Sequence, residues 1–271
     1  MSVNEVNISG IGIHKGKPSS LRVVEKVNKG ITFYSPAGKI ELSPEVVVTD
    51  INSIHLATVL KAGSAEISTV EHLLGALVQF AGGADIYVSS DEIPILDGSA
   101  LQFYNAFIKA GFLPGINPIA LKKETSISFN DSKAIIKPVK NLNDAVYNII
   151  LDYSNPFLGE LTYSYRPFTD SFLTSIAPAR TFALEKDVKT IINMGLGKGG
   201  SLENTVIISE NGPLNPDKMR FNNEPARHKM LDLIGDLATL NGLPKASITI
   251  TKPGHKINAM IAKEIFKMQT D

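Results

Sequence analysis

The 271-residue sequence contains no cysteine, which removes several kinds of chemistry at once. A disulfide framework, a thiolate metal site and a cysteine nucleophile are all excluded. A metal site in this chain must therefore use histidine and carboxylate side chains. An excess of basic residues is also missing, because 27 Lys and Arg balance 27 Asp and Glu. Nucleic-acid-binding proteins are normally basic, so this balance argues against a nucleic acid partner.

Long apolar runs are missing as well. No segment approaches the roughly 18 apolar residues that a membrane-spanning helix requires, so we expect no stable membrane insertion. The first ten residues, MSVNEVNISG, lack the basic and apolar regions of a signal peptide. With a hydrophobic content of 43%, the chain can build a sizeable core. These features predict a folded cytoplasmic protein with one large domain or two of ordinary size.

One stretch organises the candidate chemistry. Residues 224–237, EPARHKMLDLIGDL, have a proline in the first turn and apolar residues at helical spacing, which predicts a helix. His228, Asp232 and Asp236 recur every fourth residue, so they share one face, with Lys229 beside the first. An imidazole and a carboxylate at this spacing can bind one divalent metal ion. The same spacing is also typical of an ordinary surface ion pair.

A second helix is predicted over residues 70–80. Ser68 to Glu71 has the pattern of a capping box, and Gly82-Gly83 gives the stop. Glu71 could serve only as the capping residue, and His72 could be a core histidine. Adjacent glutamate and histidine before an apolar helix also suit a metal hydrolase. In such an enzyme one side chain binds the ion and its neighbour accepts a proton from water.

The other histidines and one threonine allow two interpretations each. His14, in a Gly/Lys loop, and His55 are expected to be solvated side chains. His255 follows a Lys-Pro-Gly turn, where it is either a surface histidine or a side chain that reaches into a site. Thr181, between an arginine and a phenylalanine, is either an oxyanion donor or a buried strand threonine.

The remaining pattern predicts strands in both halves of the chain. Asp97 or Ser99 is expected to cap a helix over 101–110. The segment 111–118 resembles a linker, so we place a boundary there and expect two similar α+β domains, 1–117 and 118–271. The predicted strands cover residues 3–8, 21–24, 31–34, 46–48, 84–88, 92–96, 126–129, 134–138, 146–150, 205–208 and 246–250.

The glycines of residues 195–200 fit the G-x-G-x-x-G pattern of dinucleotide sites. They follow a predicted helix over 185–194 and precede a predicted strand, which reverses the order that a dinucleotide fold requires. A flexible loop beside a ligand groove is the better interpretation.

Together these residues predict a chemistry. His72, His228 and Asp232 would leave a fourth metal position open, the pattern of catalytic rather than structural zinc. Glu71 could then remove a proton from water, and His255 could donate one to a leaving amine. Residue chemistry alone therefore predicts metal-assisted hydrolysis of an acyl group, but it does not give the substrate.

Six blocks of the sequence carry a family resemblance. The chain is similar, from about Gly10 to Ile265, to the UDP-3-O-acyl-N-acetylglucosamine deacetylases of bacterial lipid A synthesis. The blocks are TVEHL (69–73), EIPILDGSA (92–100), ARTF (179–182), GLGKGGS (195–201), RHKMLDLIGDL (227–237) and GH (254–255).

The resemblance implies two α+β domains with the site between them and one zinc ion, with Fe²⁺ as an alternative. It implies His72, His228 and Asp232 as metal ligands and Glu71 as general base. Among the other catalytic residues, Thr181 is implied to donate to the oxyanion, and Lys229 to contact the substrate or the developing charge. His255 is implied to act as general acid or electrostatic partner, with its ring oriented by Asp236.

The implied substrate is UDP-3-O-(3-hydroxyacyl)-N-acetylglucosamine, a glycolipid nucleotide whose N-acetyl group is hydrolysed to free amine and acetate. This is the committed step of lipid A synthesis, and a monomer is expected. Two alternatives remain: a zinc amidohydrolase for another acylated amino sugar, or a non-catalytic sugar-nucleotide or lipid-binding module. The residues implied to bind the sugar nucleotide and line an acyl-chain passage are Phe182, Val188, Ile191, Leu196, Gly200 and Ser201.

Overall fold

The computed structural model describes residues 4–49 and 56–270. The helices are α1 (Glu71–Leu77), α2 (Leu101–Ala110), α3 (Phe172–Ser175), α4 (Glu185–Asn193), α5 (Glu224–Leu237) and α6 (His255–Thr270). The strands are β1 (Glu5–Ile11), β2 (Pro18–Lys26), β3 (Gly30–Ser35), β4 (Gly38–Glu41), β5 (Val59–Ala62), β6 (Ala65–Ser68), β7 (Gly83–Val88), β8 (Pro118–Ala120), β9 (Thr125–Phe129), β10 (Ser132–Pro138), β11 (Val146–Asp152), β12 (Glu160–Tyr165), β13 (Phe182–Leu184), β14 (Val206–Ser209), β15 (Gly212–Pro213) and β16 (Leu243–Thr251).

Two mixed sheets form the framework. The first has the strand order β1-β2-β7-β3-β4, and the second has the order β12-β11-β16-β10-β9 with β8 beside β16. In each sheet one central pair is parallel, β3 with β7 and β11 with β16. The first sheet uses only strands before residue 89, and the second only strands from residue 118 onward. The predicted α+β class is confirmed, while the domain boundary near residue 118 stays a prediction.

The strands follow the alternation expected of sheets with one covered face. Along β16, Ala246, Ile248 and Ile250 are fully buried, and the residues between them are half-buried. The buried faces of both sheets share one continuous core with the helices. All of α1 is buried, and α5 leaves only Arg227 and Lys229 partly accessible. The two helices that carry the motif residues therefore lie inside the protein.

Helices α1 and α5 pack against each other through glycines. A Cβ on Gly75 of α1 would lie 3.7 Å from the Cα of Gly235 of α5 and 2.8 Å from Leu231 Cδ1. A Cβ on Gly235 would overlap the carbonyl oxygen of Glu71. Only glycine permits backbones to approach this closely. The approach places the beginning of α1 beside the middle of α5.

Several local predictions were wrong. The capping box does not form, because within the described ranges no side chain caps α1 and Ser68 belongs to β6. Thr69 takes a φ of +61°, which turns the chain sharply between strand and helix. The predicted strand at 46–48 is the end of a 3₁₀ turn with a single bridge from Val47 to Leu60.

Two further boundaries differ from expectation. Residues 92–96 form isolated bridges rather than a strand, since their backbone binds two separate segments, at Ser68 and Gly12. His255 is the first residue of α6 and not part of a loop. The cap of α2 agrees in part with expectation, because the Leu101 N–H donates to Ser99 Oγ at 3.2 Å.

The helix crossing generates a test of stability. Glycine to alanine normally stabilises a helix interior by up to about 1 kcal/mol. Gly235→Ala should instead destabilise the protein by about 3 kcal/mol or more, because the added methyl group overlaps the α1 backbone. Urea unfolding would measure the change. The control is Gly254→Ala, whose Cβ would have no described atom within 4 Å and should leave stability nearly unchanged. A stabilised Gly235→Ala variant would contradict the close crossing.

Candidate active site

The close helix pair brings three buried side chains together. His72 comes from α1, and His228 and Asp232 come from successive turns of α5. The Asp232 Oδ1 atom lies 3.3 Å from His228 Nε2 and 3.8 Å from His72 Nε2. One ligand atom from each residue lies within 4.8 Å of the other two. The two imidazole rings meet edge to face, with centroids 5.0 Å apart.

This trio fits a divalent metal ion. Donor atoms that each lie about 2.0–2.1 Å from one tetrahedral ion are separated by roughly 3.3 Å. The observed separations of 3.3 and 3.8 Å are close to that value. Among the described residues, buried Asp232 Oδ1 has no hydrogen-bond partner, although such an atom is costly to leave unsatisfied. Two imidazoles and one carboxylate form the donor set of many catalytic zinc sites.

The charges of the trio suit cation binding. Burial alone would raise the pKa of Asp232, but His228 and Lys229 outweigh it and hold that pKa well below its usual range. Burial lowers the pKa of His72 to about 3 and also lowers that of His228. At neutral pH the site therefore presents one carboxylate and two neutral imidazoles, the protonation states that a metal requires.

Two contacts orient these ligands. His228 Nδ1 lies 3.2 Å from the carbonyl oxygen of Ala179, which leaves Nε2 facing Asp232. The second carboxylate oxygen of Asp232 accepts a hydrogen bond from Lys229 Nζ at 2.7 Å. Such outer contacts fix the tautomer and direction of a metal ligand. The Lys229 ammonium also lies 5.7 Å from the centre of the Phe182 ring.

Glu71 lies beside the trio in a buried position. Its Oε2 accepts a hydrogen bond from the Thr58 N–H at 3.0 Å, which ties the carboxylate to a segment outside α1. Burial raises the pKa of Glu71 to about 7, although nearby His255 acts in the opposite direction. A carboxylate with such a pKa is suited to accept a proton near neutral pH.

His255 lies opposite Glu71, with Nε2 of the imidazole 3.9 Å from Glu71 Oε1. Its Nδ1 lies 3.0 Å from Asp236 Oδ2, which also accepts a hydrogen bond from Asn258 at 2.9 Å. The other oxygen of Asp236 accepts from the Thr58 hydroxyl. Burial lowers the pKa of His255, but Asp236 and Asp232 outweigh it and raise that pKa to about 9. The imidazole is therefore protonated at neutral pH.

A cleft of about 490 Å³ opens from these groups. Apolar side chains from β13, β14 and α4 form one wall. Leu196 is not among the described residues that line the cleft, and Asp236 lies behind His255. The predicted residues that do line it are Glu71, His72, Thr181, Phe182, Val188, Ile191, Gly200, Ser201, His228, Lys229, Asp232 and His255.

Helix α4 forms a thin partition at this wall. Every residue of α4 is half-buried or exposed. Val188, Ile192 and Ile207 line both the cleft and a second groove of about 410 Å³ on the outer side of the helix. Ile192 is 60% exposed and Leu214, across the outer groove, is 49% exposed. The apolar wall therefore continues from the cleft to the surface.

Sequence reasoning missed several residues of this region. Tyr153 lines the cleft with its ring edge-on to Phe182, and burial raises its pKa to about 12. His14 is not the solvated side chain that was expected, since it is half-buried and lines the cleft. Burial lowers its pKa. His55 lies outside the described residues. No spacing in the sequence marks Thr58 or Tyr153.

Buried Glu92 holds the loop of His14. Its carboxylate accepts hydrogen bonds from the backbone N–H groups of His14 and Lys15 at 2.7 and 2.9 Å and from the Thr69 hydroxyl at 3.2 Å. One carboxylate thus joins the wall of the cleft to the strained residue that precedes α1. The sequence pattern of residues 92–96 predicted a strand and gave no indication that Glu92 joins two separate segments.

Comparison with known proteins agrees with the resemblance. The model of the UDP-3-O-acyl N-acetylglycosamine deacetylase family matches residues 3–267. A UDP-3-O-acyl-N-acetylglucosamine deacetylase of Nautilia profundicola is 36% identical over 269 residues, covering 96% of this chain and 89% of the relative. The enzyme of the same name from Helicobacter hepaticus is 34% identical over 270 residues, covering 97% and 88%. The chain therefore belongs to the UDP-3-O-acyl N-acetylglycosamine deacetylase family.

Proposed function

We propose that this protein hydrolyses the N-acetyl group of UDP-3-O-(3-hydroxyacyl)-N-acetylglucosamine and releases acetate and the free amine. The reaction commits the substrate to lipid A synthesis. The observation that carries the proposal is a buried His-His-Asp trio beside an acid–base pair, at the end of an apolar cleft, in a chain of this family. The cleft combines polar reacting groups with an apolar wall, as an acylated sugar nucleotide requires.

The metal is proposed to be zinc, with Fe²⁺ as the alternative, held by His72, His228 and Asp232. When bound, such an ion supplies Lewis acidity, which lowers the pKa of water and stabilises negative charge on a carbonyl oxygen. The all-nitrogen-and-oxygen donor set is compatible with either ion.

The protein groups divide the proton transfers between them. Glu71 accepts the proton of the water whose oxygen bonds to the acetyl carbon. The Thr181 hydroxyl and the Lys229 ammonium stabilise the negative charge that develops on the carbonyl oxygen. As the C–N bond breaks, protonated His255 donates its Nε2 proton to the departing amine, and Asp236 keeps the imidazole oriented. Two ionisable groups with pKa values near 7 and 9 suit a base and an acid at neutral pH.

Substrate recognition is proposed to use the rest of the cleft. Phe182 packs against the sugar nucleotide, and Val188 and Ile191 contact the acyl chain, with Gly200 and Ser201 at the adjoining loop. All proposed reacting groups come from one chain, so we propose that the enzyme works as a monomer.

The described residues contain no helix long and apolar enough to cross a membrane. We propose a cytoplasmic enzyme because its substrate is a nucleotide-activated sugar.

Acetate release from UDP-3-O-acyl-N-acetylglucosamine tests the proposed function directly. We expect turnover with the metal-loaded protein, its loss on treatment with a chelator, and recovery on addition of Zn²⁺, because water activation requires the ion. Turnover that survives complete metal removal would contradict the mechanism. Metal-dependent acetate release only from other acylated amino sugars would favour the alternative amidohydrolase, and binding without release would favour a non-catalytic module.

Paired substitutions separate metal binding from proton transfer. His72→Ala should lose metal and activity together, because it removes one of three ligands. Glu71→Gln should retain the metal and lower kcat by about 10²–10⁴, the usual contribution of a general base. Elemental analysis and single-turnover rates measure the two effects. A Glu71→Gln variant with near-normal kcat would exclude Glu71 as the base.

The shifted pKa values of the Glu71 carboxyl group and the His255 imidazole predict a bell-shaped dependence of kcat/KM on pH. Activity should rise as Glu71 deprotonates, near pH 7, and fall as His255 loses its proton, near pH 9. The groups are close enough to titrate as a coupled pair, and a bound cation would move both limbs to lower pH, because it favours the Glu71 carboxylate and disfavours the His255 imidazolium. Residual activity of Glu71→Gln should lack the acid limb. A flat alkaline limb in the wild-type profile would exclude His255 as the acid.

A further inference from the structure

We infer that Arg180 and Glu224 are positioning residues whose buried ion pair sets the places of His228 and Thr181 together. The pair lies outside the cleft, so neither side chain touches substrate. The part of the inference that concerns Thr181 rests on the proposed function, and the part that concerns His228 rests on the metal-ligand geometry alone.

The pair is buried and fully engaged. The side chains of Arg180 and Glu224 are each 1% exposed, and Arg180 Nε donates to Glu224 Oε1 at 3.0 Å. The backbone N–H of Arg180 donates to the same oxygen at 3.0 Å, and the N–H of Arg220 donates to Oε2 at 2.6 Å. The remaining guanidinium nitrogens donate to Asp217 at 2.5 Å and to the Lys218 carbonyl at 2.6 Å.

The position of the pair connects it to the metal ligands. Glu224 is the first residue of α5 and precedes His228 by four residues, or about one helical turn. Arg180 follows Ala179, whose carbonyl lies 3.2 Å from His228 Nδ1. The ion pair therefore joins the segment that contains Ala179 to α5, the helix that carries His228.

The other neighbour of Arg180 is Thr181. The Thr181 N–H donates to the Gly98 carbonyl at 2.7 Å, and its carbonyl accepts from the Val206 N–H at 2.9 Å. Gly98 has a φ of +83°, and a Cβ there would overlap the Asn204 backbone, so this contact depends on glycine. These bonds hold Thr181 against the first half of the chain and β14. The contact of Arg180 with Glu224 joins this segment to α5, beside the Ala179 carbonyl and the Phe182 ring, which both contact His228.

A purely stabilising role does not explain this arrangement well. Buried ion pairs can often be replaced by apolar residues without loss of stability, because desolvation cancels much of their attraction. Their directional hydrogen bonds, however, allow few alternative placements of the groups they join. Here the joined groups are the segment 178–181 and the first turn of α5. Partners that orient metal ligands typically change metal affinity or activity by 10–100-fold when they are lost.

The test compares Glu224→Gln with Tyr147→Phe. Glutamine has nearly the same shape, but its amide N–H groups would face the N–H of Arg220 or the guanidinium of Arg180. Tyr147 is fully buried in the second sheet and donates to the Pro244 carbonyl at 2.7 Å, so its substitution removes a buried hydrogen bond away from segment 178–181. Urea unfolding would measure the free energy of unfolding of both variants, so that their losses of stability can be compared.

Three measurements distinguish positioning from stability. We expect Glu224→Gln to lower Zn²⁺ affinity about 10-fold in competition with a chromophoric chelator. It should shift the visible bands of the Co²⁺-loaded protein, and it should lower kcat about 10-fold with KM changed by less than about 3-fold, because transition-state contacts are lost. Tyr147→Phe should leave all three near wild type.

If Glu224→Gln shows only a loss of stability, as Tyr147→Phe does, the inference is wrong. If Glu224→Gln does not fold, Arg180→Lys replaces it, since lysine retains the buried charge but cannot form the same bridge. The same measurements then carry the same expectations. Wild-type protein that releases no acetate would reject the proposed function, whereas Zn²⁺ affinity and the Co²⁺ spectrum would still decide the positioning of His228.

Discussion

The close approach of two helix backbones determines most of what this protein can do. Gly75 and Gly235 let the backbones of α1 and α5 approach closely, so residues about 160 positions apart share one buried site. Both helices belong to the core that joins the two sheets. A side chain that is anchored this way cannot move without disturbing the close packing around it. The site is therefore rigid at its centre, while the loops and α4 around the cleft are more exposed.

The close packing of α1 and α5 allows several charged side chains to be buried together in the site. Glu71, Asp232 and Asp236 each have a carboxylate oxygen within 4.0 Å of the His255 imidazole, in a buried site where unpaired ions would be very costly. Each has a fixed partner, and the partners differ. Glu71 has one backbone N–H and a raised pKa, whereas Asp232 has Lys229 and a depressed one. The environment thus gives chemically similar carboxylates different pKa values, which suits the proposed roles of Glu71 as the base and Asp232 as a metal ligand.

Local patterns in the sequence predicted the parts that depend on local spacing. Helix α5 has the predicted bounds, and its i, i+4 row correctly places His228 and Asp232 on one face. The geometry around Ala179, Thr58 and Tyr153 could not be predicted, because each acts through contacts between segments far apart in the chain. The predicted capping box of residues 68–71 was wrong for a related reason. Their capping pattern is sound locally, but tertiary bonds take the Glu71 carboxylate elsewhere.

The thin partition formed by α4 differs in packing from the centre of the site. His72, His228, Asp232 and Glu71 are carried by two buried helices, α1 and α5. The wall that Val188 and Ile192 provide has open space on both sides, so changes in its bulk need few compensating changes elsewhere. Under the proposed function, the bulk of these wall residues could therefore set the length of the accepted acyl chain independently of the buried trio.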